Sequence, residues 1–287
     1  MNLVELLSNN NSLLILYAGL LGLLIGSFLN VVIVRLPVMM QRRWKNDCQQ
    51  LLEIPQYNSD KGPFNLLTPR SHCPQCKHVI GVLENIPVIS YLALRGKCRN
   101  CSASIPIQYP LVELLSGLIS ILVVISYGVT MQSLMALVLV WCLIALAVID
   151  LKTSLLPDSI TLPLVWLGLL CNYFELFCSL QDSLMGAVFG YLSLWFVYQT
   201  FKLLTGKEGM GYGDFKLLAL LGAWLGWQFL IPIVLISSIS GSIVGISLIC
   251  FKKLQRDTAI PFGPYLVSGG LICLLWSNHV KSLFNIV

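Results

Sequence analysis

Three stretches of this chain carry no charged residue: 6–34, 114–149 and 217–251. A helix of roughly 20 apolar residues crosses a bilayer, so each stretch holds one or two spans. Only 11% of the 287 residues are charged, against about 25% in a soluble domain. Breaks between apolar runs divide the sequence into about eight helices, at 13–34, 109–128, 132–150, 159–178, 183–203, 215–228, 230–250 and 262–280. The sixth is short enough for half-insertion. The expected fold class is an all-α polytopic membrane protein. Residues 1–12 contain Glu5 but no Lys or Arg, so the first run reads as a span and not as a cleavable signal.

Basic residues set the orientation. Arg35, Arg42, Arg43, Lys45, Lys61, Arg70, Lys77, Arg95, Lys97 and Arg99 all fall in 35–108. With eight spans, Lys152, Lys202, Lys207, Lys216, Lys252, Lys253 and Arg256 share their side, and only Lys281 falls opposite. That puts the N-terminus outside and 35–108 in the cytoplasm. The expected organisation is a first span at 1–34, a small cytoplasmic domain at 35–108 and a transmembrane bundle at 109–287. The net charge of +5 is modest, so membrane lipid is an expected partner and nucleic acid is not.

A polar segment of that size needs a staple to fold. Cys73-Pro-Gln-Cys76 and Cys98-Arg-Asn-Cys101 are two C-x-x-C turns with 21 residues between them. The spacing reads as a closed, structural four-cysteine zinc site. A disulfide is the weaker reading in a reducing cytoplasm. Lys77, Lys97 and Arg99 flank the sulfurs and are expected to favour thiolates. His72 and His78 read as neighbours of the site. The other six cysteines are isolated, and five of them lie in apolar runs.

Carboxylates at membrane depth are costly and call for a function. Glu113 near the start of the second span suits either a helix first turn or a functional role. Glu175 reads as interfacial, and Asp158, after Pro157, as a helix N-cap. Asp150 is harder to explain structurally: it ends a charge-free helix, where the dipole disfavours an acid. Asp214 closes Gly209-Met-Gly-Tyr-Gly213-Asp, a glycine-rich stretch that another chain can approach closely; an N-cap is the alternative. The derived topology brings Asp150 and Asp214 to one membrane face. Such a pair can activate water with one carboxylate and donate a proton with the other, the chemistry of an aspartyl protease.

These motifs resemble the type IV prepilin peptidases, GxGD-type membrane aspartyl proteases that also process type II secretion pseudopilins. The resemblance runs through Gly26 to Pro37, Glu84 to Tyr91, Leu94 to Cys101, Tyr109 to Glu113, Ile149 to Asp158, Gly211 to Leu217 and Pro261 to Tyr265. It implies that Asp150 and Asp214 are the catalytic pair, supported by a loop with Gly211, Gly213 and Lys216. The implied substrate is a prepilin or pseudopilin whose short basic leader ends in glycine before an apolar helix. Cleavage would occur at the cytoplasmic face of the bacterial inner membrane. The resemblance further implies N-methylation of the new N-terminus with S-adenosylmethionine, with Gly96 and Lys97 as candidates for the methyl-transfer region. No Rossmann-type strand–turn–helix unit is present to hold that donor. Two other readings remain at this point: a peptidase without methyl transfer, and a proton-coupled transporter, although no internal repeat supports the latter.

Overall fold

The computed structural model describes residues 5, 7–8, 10–53, 64–81, 83–207, 209–251 and 260–285. Lys61, Lys252, Lys253 and Arg256, counted above toward orientation, lie outside these described residues. Among them the secondary structure is helical, apart from isolated bridges between His72 and Val79 and between Lys97 and Ser104. The chain forms two compact units, Met1–Gly128 and Val129–Val287.

In the first unit, helix α1 (Asn11–Leu51) begins where the Asn10 side chain accepts from Leu13 N–H at 3.2 Å. It does not stop at 34 but runs through Pro37 to Leu51. No glycine stop follows 34, and buried Arg35 is satisfied where it stands. Its guanidinium donates to the carbonyls of Asn65, Leu66 and Pro69 at 3.0, 3.2 and 2.6 Å. A short helix α2 (Ile89–Ala93) leads to α3 (Gln108–Tyr127), which packs along α1. Asn30 Nδ2 donates to Tyr109 O at 3.0 Å across that contact. The first unit therefore includes the helix at 109–128.

In the second unit, α4 (Met131–Thr153) is capped by the Thr130 hydroxyl, which accepts from Ser133 N–H. It is followed by α5 (Asp158–Tyr173), α6 (Leu180–Thr205), α7 (Tyr212–Leu225), α8 (Leu230–Cys250), α9 (Gly263–Leu275) and α10 (Ser277–Phe284). Helix α7 is the core. It is apolar on every side and buried on every side from Leu217 to Leu225. Gly186 of α6 and Gly222 of α7 bring their backbones into direct contact, where a Cβ on either would overlap the other. On its other flank, Trp224 Nε1 donates to Leu164 O at 2.8 Å and Asn172 Nδ2 to Ala223 O at 2.9 Å.

Helix is found within each of the eight expected segments, the fourth ending at Tyr173 and the eighth divided between α9 and α10. Five described helices are long and apolar enough to cross a membrane: Asn11–Leu51, Gln108–Tyr127, Met131–Thr153, Leu180–Thr205 and Trp227–Cys250. Helices α5, α7 and α9 have 16, 14 and 13 residues, short of the roughly 20 for a full span. Enclosure by its neighbours accounts for the apolar sequence of α7.

Candidate active site and metal centre

Asp150 lies in the last turn of α4 and is only 5% exposed. The dipole of its own helix opposes a negative charge there. The compensation comes from 113 residues downstream, where Gly263, the first residue of α9, donates its N–H to Asp150 Oδ2 at 3.0 Å. That N–H is one of the unpaired donors at a helix start, so the carboxylate sits against the positive end of a second helix. A Cβ on Gly263 would fall 2.6 Å from Oδ2, so only glycine permits this approach.

Asp214 is 8% exposed and lies in the first turn of α7. It is not the N-cap, a place taken by Gly211, whose carbonyl accepts from Asp214 N–H at 3.2 Å. An acid in a first turn is favoured by the dipole. Asp150 and Asp214 are near enough to interact electrostatically. Each carboxylate thus lies at a helix start, Asp150 at that of α9 and Asp214 at that of its own helix.

The supporting loop residues have separable roles. Gly213 meets Leu156 of the α4–α5 loop, where a Cβ would come within 2.9 Å of the leucine Cβ. A Cβ on Gly211 would meet nothing nearer than 4.0 Å, leaving space beside the Asp214 carboxylate. Lys216 Nζ donates to both oxygens of Asp158 at 2.7 and 2.8 Å. Asp158 is therefore not the N-cap of α5, which is Pro157; it is an ion-pair partner tying the α4–α5 loop to α7. Tyr212 and Phe215 both pack at a tilt against the Tyr198 ring of α6, at centroid distances of 5.3 and 5.6 Å, and so hold the start of α7. The Lys216–Asp158 pair is partly exposed, and such pairs contribute up to about 1 kcal/mol. Lys216→Met is expected to reduce site activity by less than about tenfold, measured beside the thermal midpoint.

Glu113 is buried in α3 and accepts from Val88 N–H at 2.8 Å. Val88 has φ +59, unusual for a β-branched residue, so Glu113 pins a strained turn. Glu175 is exposed in the turn after α5.

The four cysteine Sγ atoms of Cys73, Cys76, Cys98 and Cys101 lie within 4.8 Å of one another and can hold a metal ion. All four are free thiols, with Cys73–Cys101 at 3.8 Å and Cys76–Cys98 at 3.9 Å. The two turns are built alike. Cys73 N–H donates to His78 O and Lys77 N–H to Cys73 O; Cys98 N–H donates to Ala103 O and Ser102 N–H to Cys98 O. Each turn closes on a positive φ, at Lys77 (φ 60) and Ser102 (φ 58). Backbone N–H groups, more than the flanking Lys77, Lys97 and Arg99, favour the thiolate form of two of the four. The His78 N–H brings the Cys76 thiol down to about 6, and the N–H groups of Cys101 and Asn100 lower Cys98. Cys101 goes the other way: although the Ala103 N–H lowers it, desolvation and the sulfurs of Cys76, Cys98 and Cys73 leave it raised to about 11. Arg99 instead meets Glu84 at 3.5 Å, and Glu84 also accepts from Gly81 N–H and pairs with His78 at 3.2 Å.

Gly96 and Lys97 form the turn entering the second cysteine pair. Gly96 has φ +69 and a Cβ there would come within 3.0 Å of the Tyr91 ring. Lys97 is exposed. Gly263 is the site residue that residue-by-residue reading misses: it has no side chain, and its only signal is the Pro261–Tyr265 motif.

Five helices long and apolar enough to cross a membrane, two buried aspartates and a four-cysteine cluster define the class as a polytopic membrane protein with a small cysteine unit. The chain belongs to the type IV leader peptidase family: residues 137–246 match that family and residues 20–127 match the bacterial peptidase A24 N-terminal domain. It is 53% identical over 281 residues to the prepilin leader peptidase/N-methyltransferase of Stutzerimonas stutzeri, covering 98% of this chain and 97% of the relative. Proteins of the same name from Pseudomonas aeruginosa and Legionella pneumophila are 51% and 45% identical, covering 99% and 92% of this chain and 98% and 92% of the relatives. No solved structure matches the chain.

Proposed function

We propose that this protein cleaves the leader of prepilins or pseudopilins with Asp150 and Asp214 and then N-methylates the new N-terminus. The observation that carries the peptidase half is the neighbouring, buried carboxylate pair, each member set against a helix start. One carboxylate takes a proton from a water molecule as its oxygen adds to the scissile carbonyl, while the other, protonated, donates to the carbonyl oxygen; the first then passes the proton from water to the leaving amine as the second recovers its proton from the gem-diol and the C–N bond breaks. The space beside Gly211 admits the substrate backbone to Asp214. The names of the relatives, which carry both activities, favour this reading over a peptidase alone and over a transporter.

The site faces the cytoplasm of a bacterial inner membrane, following the distribution of Lys and Arg. The metal of the cysteine unit is zinc. A tetrahedral zinc–thiolate site with bonds of about 2.3 Å has sulfurs about 3.8 Å apart; Cys73–Cys101 and Cys76–Cys98 stand at 3.8 and 3.9 Å, and all four sulfurs lie within 4.8 Å of one another. Bound there, zinc would close the two turns on each other and supply folding energy to the segment. Cys98→Ser is expected to bring bound zinc from about one ion per chain to about none and to lower the melting temperature, read by metal analysis and thermal unfolding. Equal zinc in both proteins rejects the assignment. S-adenosylmethionine is the methyl donor, and the exposed Lys97 is the side chain of its turn available to meet it, with Gly96 shaping the backbone.

The test is to incubate the purified full chain with a prepilin peptide and S-adenosylmethionine and to weigh the products. Leader release with one methyl group gained on the mature fragment is expected. An intact peptide rejects the peptidase reading, and release without the methyl group reduces the function to cleavage.

A further inference from the structure

A cavity of about 290 Å³ opens in the second unit between α8 and the start of α9, lined by Ser238, Gly241, Ser242, Ile260, Phe262 and Tyr265. Sites for whole small molecules start at about 300 Å³, so this one lies at the small end of that range and has room for an apolar side chain. Isoleucine and two aromatic rings, with centroids 6.5 Å apart, give it an apolar character. Its wall is continuous with the carboxylate site. Gly263, between Phe262 and Tyr265, is the residue whose N–H holds Asp150. Ser237 Oγ of α8 donates to Tyr265 O at 3.0 Å and fixes the same segment to the other side of the cavity. One short stretch of chain thus orients a proposed catalytic acid and shapes an apolar hollow beside it.

We propose that this cavity is a substrate subsite, which receives one apolar side chain of the substrate's membrane helix, on the mature side of the scissile bond. The proposal rests on the prepilin peptidase reading. A peptide held there is anchored by the same segment that holds Asp150, so filling the subsite and placing the scissile bond are one event. Gly241 sets the depth of the hollow, because a Cβ on it would reach 3.3 Å from the Tyr265 ring and any longer side chain would occupy the space.

The experiment uses the purified full chain and a series of prepilin peptides, each with one apolar residue after the cleavage point replaced by alanine. With wild type, alanine at one position should lower kcat/KM by roughly tenfold or more, as for a side chain lost from an apolar pocket. In Gly241→Leu, the unmodified peptide should fall by a similar factor, and alanine at that position should cost nothing further. Ser242→Leu, which fills the hollow from an exposed position, should give the same loss of discrimination if Gly241→Leu fails to fold. The ratio of the two peptides within one variant is independent of how much enzyme folds. An unchanged ratio in the folded variants, as expected if only a lipid chain occupies the cavity, overturns the proposal. Failure of wild type to cleave any peptide instead rejects the peptidase reading itself.

Discussion

Asp150→Asn and Asp214→Asn are each expected to lower leader cleavage by roughly a thousandfold or more, and the double variant to fall little further. Asparagine keeps the size of the side chain, and its carbonyl oxygen can still accept from Gly263 N–H at position 150. What it removes is the ability to take or give the proton. Groups that act as one unit give strongly non-additive losses, because the first substitution already disables the step that the second group serves. Two independent sites would instead multiply their effects. Single-turnover cleavage by the four purified proteins measures this, with thermal unfolding to establish that each has kept its fold.

Gly263→Ala is expected to cost about a hundredfold in kcat with a smaller change in KM. The added Cβ would lie 2.6 Å from Asp150 Oδ2 and 3.1 Å from its Cγ. The Asp150 carboxyl or the start of α9 must shift to make room, and either shift breaks the contact between them. Displacement of a catalytic group by about 1 Å is enough for a loss near a hundredfold. The change also weakens the N–H contact that sets the charge of Asp150 against a helix start. Kinetics of Gly263→Ala on the prepilin peptide check this. Activity equal to wild type would mean that Asp150 is not positioned from α9.

Long charge-free runs make helix positions legible, because nothing but helices satisfies so much apolar backbone in lipid. The end of α1 is not legible in the same way. Hydropathy marks where the apolar surface stops, at Arg35, whereas the helix itself continues to Leu51 with a polar surface. The buried state of α7 is equally hidden: an apolar 14-residue helix reads alike as a short span or as a core element. Asp150 is legible because its position is unfavourable on its own helix. The reason it is tolerated lies in a backbone N–H far along the chain, which no side-chain pattern reports. Asp158 reads as a cap from its local sequence, but Lys216, 58 residues on, draws it into an ion pair. The cysteine turns are visible from spacing alone, while what lowers the Cys76 and Cys98 thiols is backbone geometry and not the adjacent charges.

Both carboxylates should engage the same reacting centre. The most direct measurement is the binding of a prepilin peptide whose scissile amide is replaced by a non-hydrolysable tetrahedral alcohol. Transition-state mimics bind about a hundredfold or more tighter than substrates when the catalytic groups are in place. Wild type should bind the mimic at least about a hundredfold tighter than the uncleaved amide, and Asp150→Asn and Asp214→Asn should each lose that advantage while still binding the amide. Undiminished preference for the mimic in either variant would contradict an aspartate pair at the centre of the site.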